Sequence, residues 1–305
     1  MRIFAVMCLV AVAGGTSLVP ARDNARASQS VSSARPTTTD LLRLAGEQVV
    51  AFGRDLEGIV AREAYVQTVR QWPASVPKSP GKGRLIEERH LRSDLLLVHD
   101  PSVPWQIHRD VLAVDGRDLA GREARLRQLF SAPAADVRAL LLAIVEDSAR
   151  HNLGHIERNI NIPTFPMVVL HPENQWRFEF RDRGMVAESG RAARRISFSE
   201  RGRLRVIRDR NGRDVRTEGS FVLDGVTGEL LRATMEPRAA DLYTHLEVTF
   251  GAVDGVPRRV PVQMWEWYWQ QGSLRDRYVE GLATYDSFRR FTTEVGSPRV
   301  VGPPD

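Results

Sequence analysis

The chain has 305 residues, of which 42% are hydrophobic, with a formal net charge of +5. That length can bury a large core without disulfides. The weak charge, with Arg and Asp/Glu interspersed, excludes the clustered basic face of a nucleic-acid binder.

Residues 1–27 read as an export signal. A positive start at Arg2 precedes an apolar run from Ile3 to Ala13, and Ala25, Arg26 and Ala27 fit a small-x-small cleavage site. The run is shorter than the roughly 20 apolar residues that span a bilayer. Cleavage would leave a chain from Ser28 at about +3, because the signal holds Arg2, Arg22 and Arg26 against Asp23. It would also remove Cys8, the only cysteine, and with it disulfide and thiolate chemistry. The expected location is periplasmic or secreted. Residues 28–38 are rich in Ser, Thr, Ala and Pro and read as a disordered leader.

A helix follows, with Leu41, Leu42, Ala45, Val49, Phe52 and Leu56 at helical spacing. Thr38, Thr39 and Asp40 offer capping oxygens. After Gly58 the β-branched residues and Tyr65 favour a strand reaching Val69. Residues 71–84 form a loop by their prolines and glycines. Strands are expected near 85–99 and 105–114, before a turn at Asp115-Gly116. A helical insertion at about 121–152 carries Leu126, Leu129 and Phe130, then Val137, Leu140, Leu141, Ile144 and Val145.

From residue 176 the chain is almost all strand, with turns at Asn211-Gly212, Asp224-Gly225 and Asp254-Gly255. Strands are expected near 176–181, 194–199, 203–208, 215–223, 242–250, 260–269 and 278–285. In one of them Leu242, Thr244, Leu246, Val248 and Phe250 alternate with Tyr243, His245, Glu247 and Thr249, as in a sheet packed on one side. The next strand differs. Trp265, Trp267 and Trp269 share one face, while Val260, Val262, Met264 and Tyr268 share the other, broken only by Glu266. Both faces then need cover. The tryptophans either pack against arginine stems and neighbouring aromatics or form the wall of an apolar ligand pocket. They are the candidate ligand-binding residues.

Catalytic and metal motifs are weak. The sequence has no nucleophile elbow, no phosphate loop and no His-Glu-x-x-His pair. His151 and His155 have ligand spacing, but Gly154 interrupts them, and His151 reads better as a helix-end residue beside Asp147. Ser93, His99, His108 and Asp110 would supply a nucleophile, base and orienter, yet nothing in their spacing demands it. No cofactor is expected.

The helix from Asp40 running directly into a strand with Tyr65 and Gln67, and the hairpin from Leu223 to Leu231, resemble the periplasmic carriers that escort lipoproteins to the outer membrane. The segment from Ala283 to Phe291 also resembles the last strand of uncharacterised exported bacterial proteins. The carrier resemblance implies a half-barrel of antiparallel strands around an apolar cavity. The expected fold is α+β, a single domain at 39–294. It would be a curved antiparallel sheet with the N-terminal and inserted helices packed on one face, then a disordered tail at 295–305. The expected function is an exported, non-enzymatic protein binding a hydrophobic ligand, with a lipid or lipoprotein as partner. The alternative is a protein–protein interaction or structural envelope module, with a hydrolase as a third, weaker reading.

Overall fold

The structure is a computed structural model. It describes residues 6–7, 35–56, 58–73, 79–100, 103–122, 125, 134–154, 156, 158, 160–202, 205–209, 213–239, 241–272, 276–294 and 297–301. The rest of residues 1–34, where the signal and most of the leader are expected, Leu126, Leu129 and Phe130 of the first inserted helical stretch, and Asn211-Gly212 lie outside that set.

In chain order the strands and helices are β1 (Val6–Met7), α1 (Thr38–Asp55), β2 (Ile59–Gln71), β3 (Arg84–Asp100), β4 (Val103–Val114) and β5 (Arg117–Asp118). There follow α2 (Ala134–Ala149), α3 (Met167–Leu170), α4 (Pro172–Gln175), β6 (Phe178–Glu188), β7 (Arg191–Glu200) and β8 (Ile207–Asp209). The chain closes with β9 (Asp214–Asp224), β10 (Leu230–Arg238), β11 (Leu242–Gly251), β12 (Val260–Gln270), β13 (Arg277–Glu294) and β14 (Ser297–Val301). Thus α1 starts one residue before Thr39, and the segment expected to be a disordered tail contains β14, paired with Arg290–Glu294.

Helix α1 is fixed at its start by a capping box. The Thr37 hydroxyl accepts from the Asp40 amide at 3.2 Å, and the Asp40 carboxylate accepts from the Thr37 amide at 3.1 Å. Thr37→Ala should lower stability by about 1 kcal/mol, read as a shifted urea midpoint with an unchanged slope. Hydrogen bonds from the Thr37 hydroxyl and amide hold the Asp40 carboxyl below its ordinary range. This contribution is therefore present above the unfolded value of about 3.9 and is lost as pH falls through the lower folded value.

All strands join one 14-stranded antiparallel sheet. Its main path runs β6-β7-β9-β10-β11-β12-β13-β2-β3-β4-β5, so the last long strand zips onto the first. Among the described residues no pairing joins β6 to β4 or β5, and the sheet is open. Register defines its inner face. Leu91, Tyr65, Ala283, Met264, Val248, Ala233, Phe221 and Ile196 are successive cross-strand partners, and all are buried in one core. Leu41, Ala45, Val49, Phe52 and Leu56 of α1 join that core, as do Ile156, Ile160, Phe165 and the apolar residues of α3.

The inserted helix α2 departs from the expected arrangement. It packs against β4, and its Asp147 is linked through Arg122 and Arg125 to Asp110. Asp110 alternates with the inner-facing Arg109 and Val111 and therefore points to the outer face. The helices thus lie on both faces. The reason is that α1, Ile156 and residues 160–170 already fill the inner one, while Asp94 and Asp110 leave two carboxylates side by side on the outer one. Arg62 and Arg289 neutralise Asp94, and the α2 region supplies the arginines for Asp110.

Candidate functional site

The register of β12 separates its two apolar faces. Met264, Glu266, Tyr268 and Gln270 are buried toward the inner face, whereas Trp265, Trp267 and Trp269 alternate with them and are half-buried on the outer one. There the tryptophans meet other aromatics. Trp269 stacks on Tyr243 at 4.9 Å, and Trp72 lies edge-on to Trp269 and Trp267 at 5.7 and 6.5 Å. Trp72 in turn stacks on Tyr278 at 4.2 Å. Each such pair contributes about 0.5–1.5 kcal/mol beyond area burial. The stripe thus covers much of itself, with Tyr243 and Leu282 exposed at its margin.

The inner face holds a polar network instead. Glu266, the residue that breaks the apolar pattern, is wholly buried. It accepts hydrogen bonds from the hydroxyls of Tyr65 and Tyr268, the latter at 2.7 Å, and from Arg158 at 3.0 Å. Arg158 also donates to Gln67. A second pair lies on the same face, where the Arg109 guanidinium grips both Glu63 oxygens at 2.5 and 2.8 Å and donates to the Asn161 carbonyl at 3.0 Å. Arg109 also sits 4.7 Å over the Tyr65 ring. Burial pushes the Tyr65 and Tyr268 phenols well above their ordinary range, so they remain donors. Burial alone would pull Arg158 down, but Tyr65 and Glu266 hold it above its usual value. Every charge here is consumed by a partner, and the network fastens Arg158 and Asn161 to β2, β4 and β12.

Beside it lies an open apolar recess between the last turn of α1 and the inner face. Phe52 and Leu56 form one wall, Ile59, Leu95, Leu97 and Ile107 the floor, and Pro163, Pro261 and Phe288 the rest of the rim. Its cavity volume is about 30 Å³, room for a water-sized group, and its mouth and open solvent bring the empty space to about 360 Å³. None of its lining residues is charged, and Tyr285 is the one polar side chain among them. The tryptophans do not line it.

Among the described residues weighed for hydrolysis, Ser93 is not brought together with His108 and Asp110. Ser93 is the partner of Glu63 and faces inward, whereas Asp110 faces outward opposite Asp94 and His108 lies on its side of the strand. The His99 side chain lies outside the described residues, as does His155. His151 is half-buried, and burial followed by nearby arginine charge lowers its imidazole despite Asp147. Among the described residues no group of three or more potential ligands could hold a metal ion, and no helix is long and apolar enough to cross a membrane.

No family model and no curated protein matches the chain. Two solved structures align loosely. A DUF1329 family protein from Desulfovibrio piger is 12% identical over 85% of this chain and 93% of its own, with a TM-score of 0.34. A chain of the MucA/MucB complex of Pseudomonas aeruginosa is 11% identical over 86% of this chain and 99% of its own, with a TM-score of 0.21.

Sequence reasoning missed the recess, because its walls come from six separate stretches of chain. It also missed Arg158 and Arg109. One signal was on the page: a lone glutamate on an otherwise apolar strand face requires a buried cation or donor.

Proposed function

We propose that this is an exported, non-enzymatic binding protein that takes an apolar lipid chain between α1 and the inner face of a curved, half-barrel-like sheet. The recess carries the reading, since it joins an uncharged apolar lining to an open mouth. Curvature is supported by the reach of α1. Its start bonds Asp182 of β6 and Arg194 of β7, and Gly58 just past its end bonds Leu97 of β3. β6 and β3 are eight pairings apart, about 38 Å across a flat sheet, while an 18-residue helix is about 27 Å long. The narrow depth of the recess means that an acyl chain enters by moving the last turn of α1 outward. The partner is a lipid, free or as the acyl group of a lipoprotein, and the signal-like pattern of residues 1–27 supports an encounter in the periplasm or outside the cell.

The test is titration with an uncharged dye whose fluorescence rises in apolar surroundings. Phe288→Asp puts a charge at the half-buried rim and should weaken binding at least about tenfold, because an unpaired carboxylate opposes an apolar guest, with the circular dichroism spectrum unchanged. Replacing Trp265, Trp267 and Trp269 together by serine should leave dye affinity as it was. If the tryptophan variant loses binding and Phe288→Asp does not, the ligand sits on the outer face and the recess reading falls.

A second reading rests on the outer stripe. Half-buried tryptophans bordered by exposed Tyr243 and Leu282 form an apolar patch of the kind that docks a protein. Capture of an envelope protein by the wild type and not by the tryptophan variant would favour it.

A further inference from the structure

We infer that the recess selects a single-chain lipid with a neutral oxygen-bearing head, such as an acyl ester of glycerol, over an ionised fatty acid, and that the Tyr285 hydroxyl anchors that head. This inference rests on the proposed function and names the ligand class for the same site.

Three observations carry it. Tyr285 is only 6% exposed and lines the recess, yet its hydroxyl has no hydrogen-bond partner among the described residues. A buried hydroxyl without a partner costs about 1–3 kcal/mol; a ligand oxygen that accepts from it would recover much of that cost. Second, the polar groups next to Tyr285 are also short of partners. Tyr285 lies opposite Glu63 in the register, and Glu63 lies opposite Ser93, whose buried hydroxyl has no partner among the described residues. Thr164, next to the lining residue Pro163, has a buried hydroxyl in the same condition. Two neutral hydroxyls thus lie behind the recess, and Tyr285 alone reaches its lining. Third, the adjacent cation is already committed. Arg109 holds both oxygens of Glu63, so the pair offers no net charge to a carboxylate. An ionised head would be desolvated without a counter-charge, which is far costlier than burying an ester carbonyl that receives one hydrogen bond. Burial, followed by the charge of Glu63, pushes the Tyr285 phenol well above its ordinary range and keeps it a donor.

The enclosed part of the recess is only about 30 Å³, which leaves no room for a lipid with two or three chains.

The experiment uses the full mature protein with three probes at neutral pH: monododecanoylglycerol, dodecanoate and dodecane. The wild type should bind the ester about tenfold more tightly than dodecanoate. Tyr285→Phe should weaken ester binding about tenfold, the loss of one hydrogen bond to a buried group, and leave dodecane affinity unchanged. Without ligand, the same variant should be as stable as the wild type or more so, since it removes an unpaired polar atom. Equal binding of ester and dodecanoate, or ester affinity unmoved by Tyr285→Phe, overturns head selection while leaving the recess as an apolar site. Lower stability of the ligand-free variant overturns it as well, by showing that the hydroxyl already has a partner. Failure of all three probes to bind the wild type removes the proposed function itself.

Discussion

Glu266→Ala should lower the stability of the protein by about 3–5 kcal/mol, the cost of leaving one member of a buried ion pair without the other. The Arg158 and Glu266 side chains are both 0% exposed, so solvent screens neither. Removing the carboxylate leaves the guanidinium with the Tyr65 hydroxyl and Gln67 as neutral partners, and it strands the hydroxyls of Tyr65 and Tyr268. Arg158→Met should cost a similar amount for the converse reason. The double variant Glu266→Leu with Arg158→Met should be much less destabilised than the sum of the two, because it leaves no lone charge. Urea unfolding of the four proteins measures the cycle. Additive losses would mean that the two side chains do not act as a unit.

The same residues mark how far the sequence could be read. Alternation gave the faces of β11 and of β12 from Met264 to Trp269, because a strand packed on one side writes its environment every second residue; it failed at the start of β12, where a bulge puts Pro261 opposite the inner-facing Phe250. α1 was equally plain, since its buried positions recur at helical spacing from Leu41 to Phe52. The partners were not legible. Arg158 and Asn161 lie in a stretch with no period of its own, and nothing local says that they fold back over β2 and β12. The pairing of β13 with β2 joins residues more than two hundred positions apart and is fixed only by the whole sheet. The one-sided packing expected of the helices failed for a similar reason. The sequence shows that α2 has apolar residues, but not that Asp110 and its arginines draw it to the outer face. As for the tryptophans, the sequence showed that something covers them, and the cover includes Trp72 and Tyr243, from other strands and loops.

Gly281→Ala should cost about 3 kcal/mol, at the upper end of overpacking effects, although it adds a single methyl group in the middle of a strand. Gly281 lies between Gln67 of β2 and Glu266 of β12 in the register. A Cβ there would stand 2.7 Å from both Cε2 and Oη of Tyr65 and 2.8 Å from the Glu266 carboxylate. Real Cβ atoms essentially never approach so closely, and neither neighbour can swing away freely, because each is held by the buried network. Glycine is disfavoured within strands by its entropy and lack of packing, so its presence marks the space that the Tyr65 ring occupies. Tyr65→Phe should give little relief, since the ring edge stays in place. Tyr65→Leu is itself destabilising, but Gly281→Ala made in that background should cost clearly less than it does in the wild type, a coupling that equilibrium unfolding of the cycle reads directly. Equal cost in both backgrounds would place the strain in the strand backbone and not against the tyrosine.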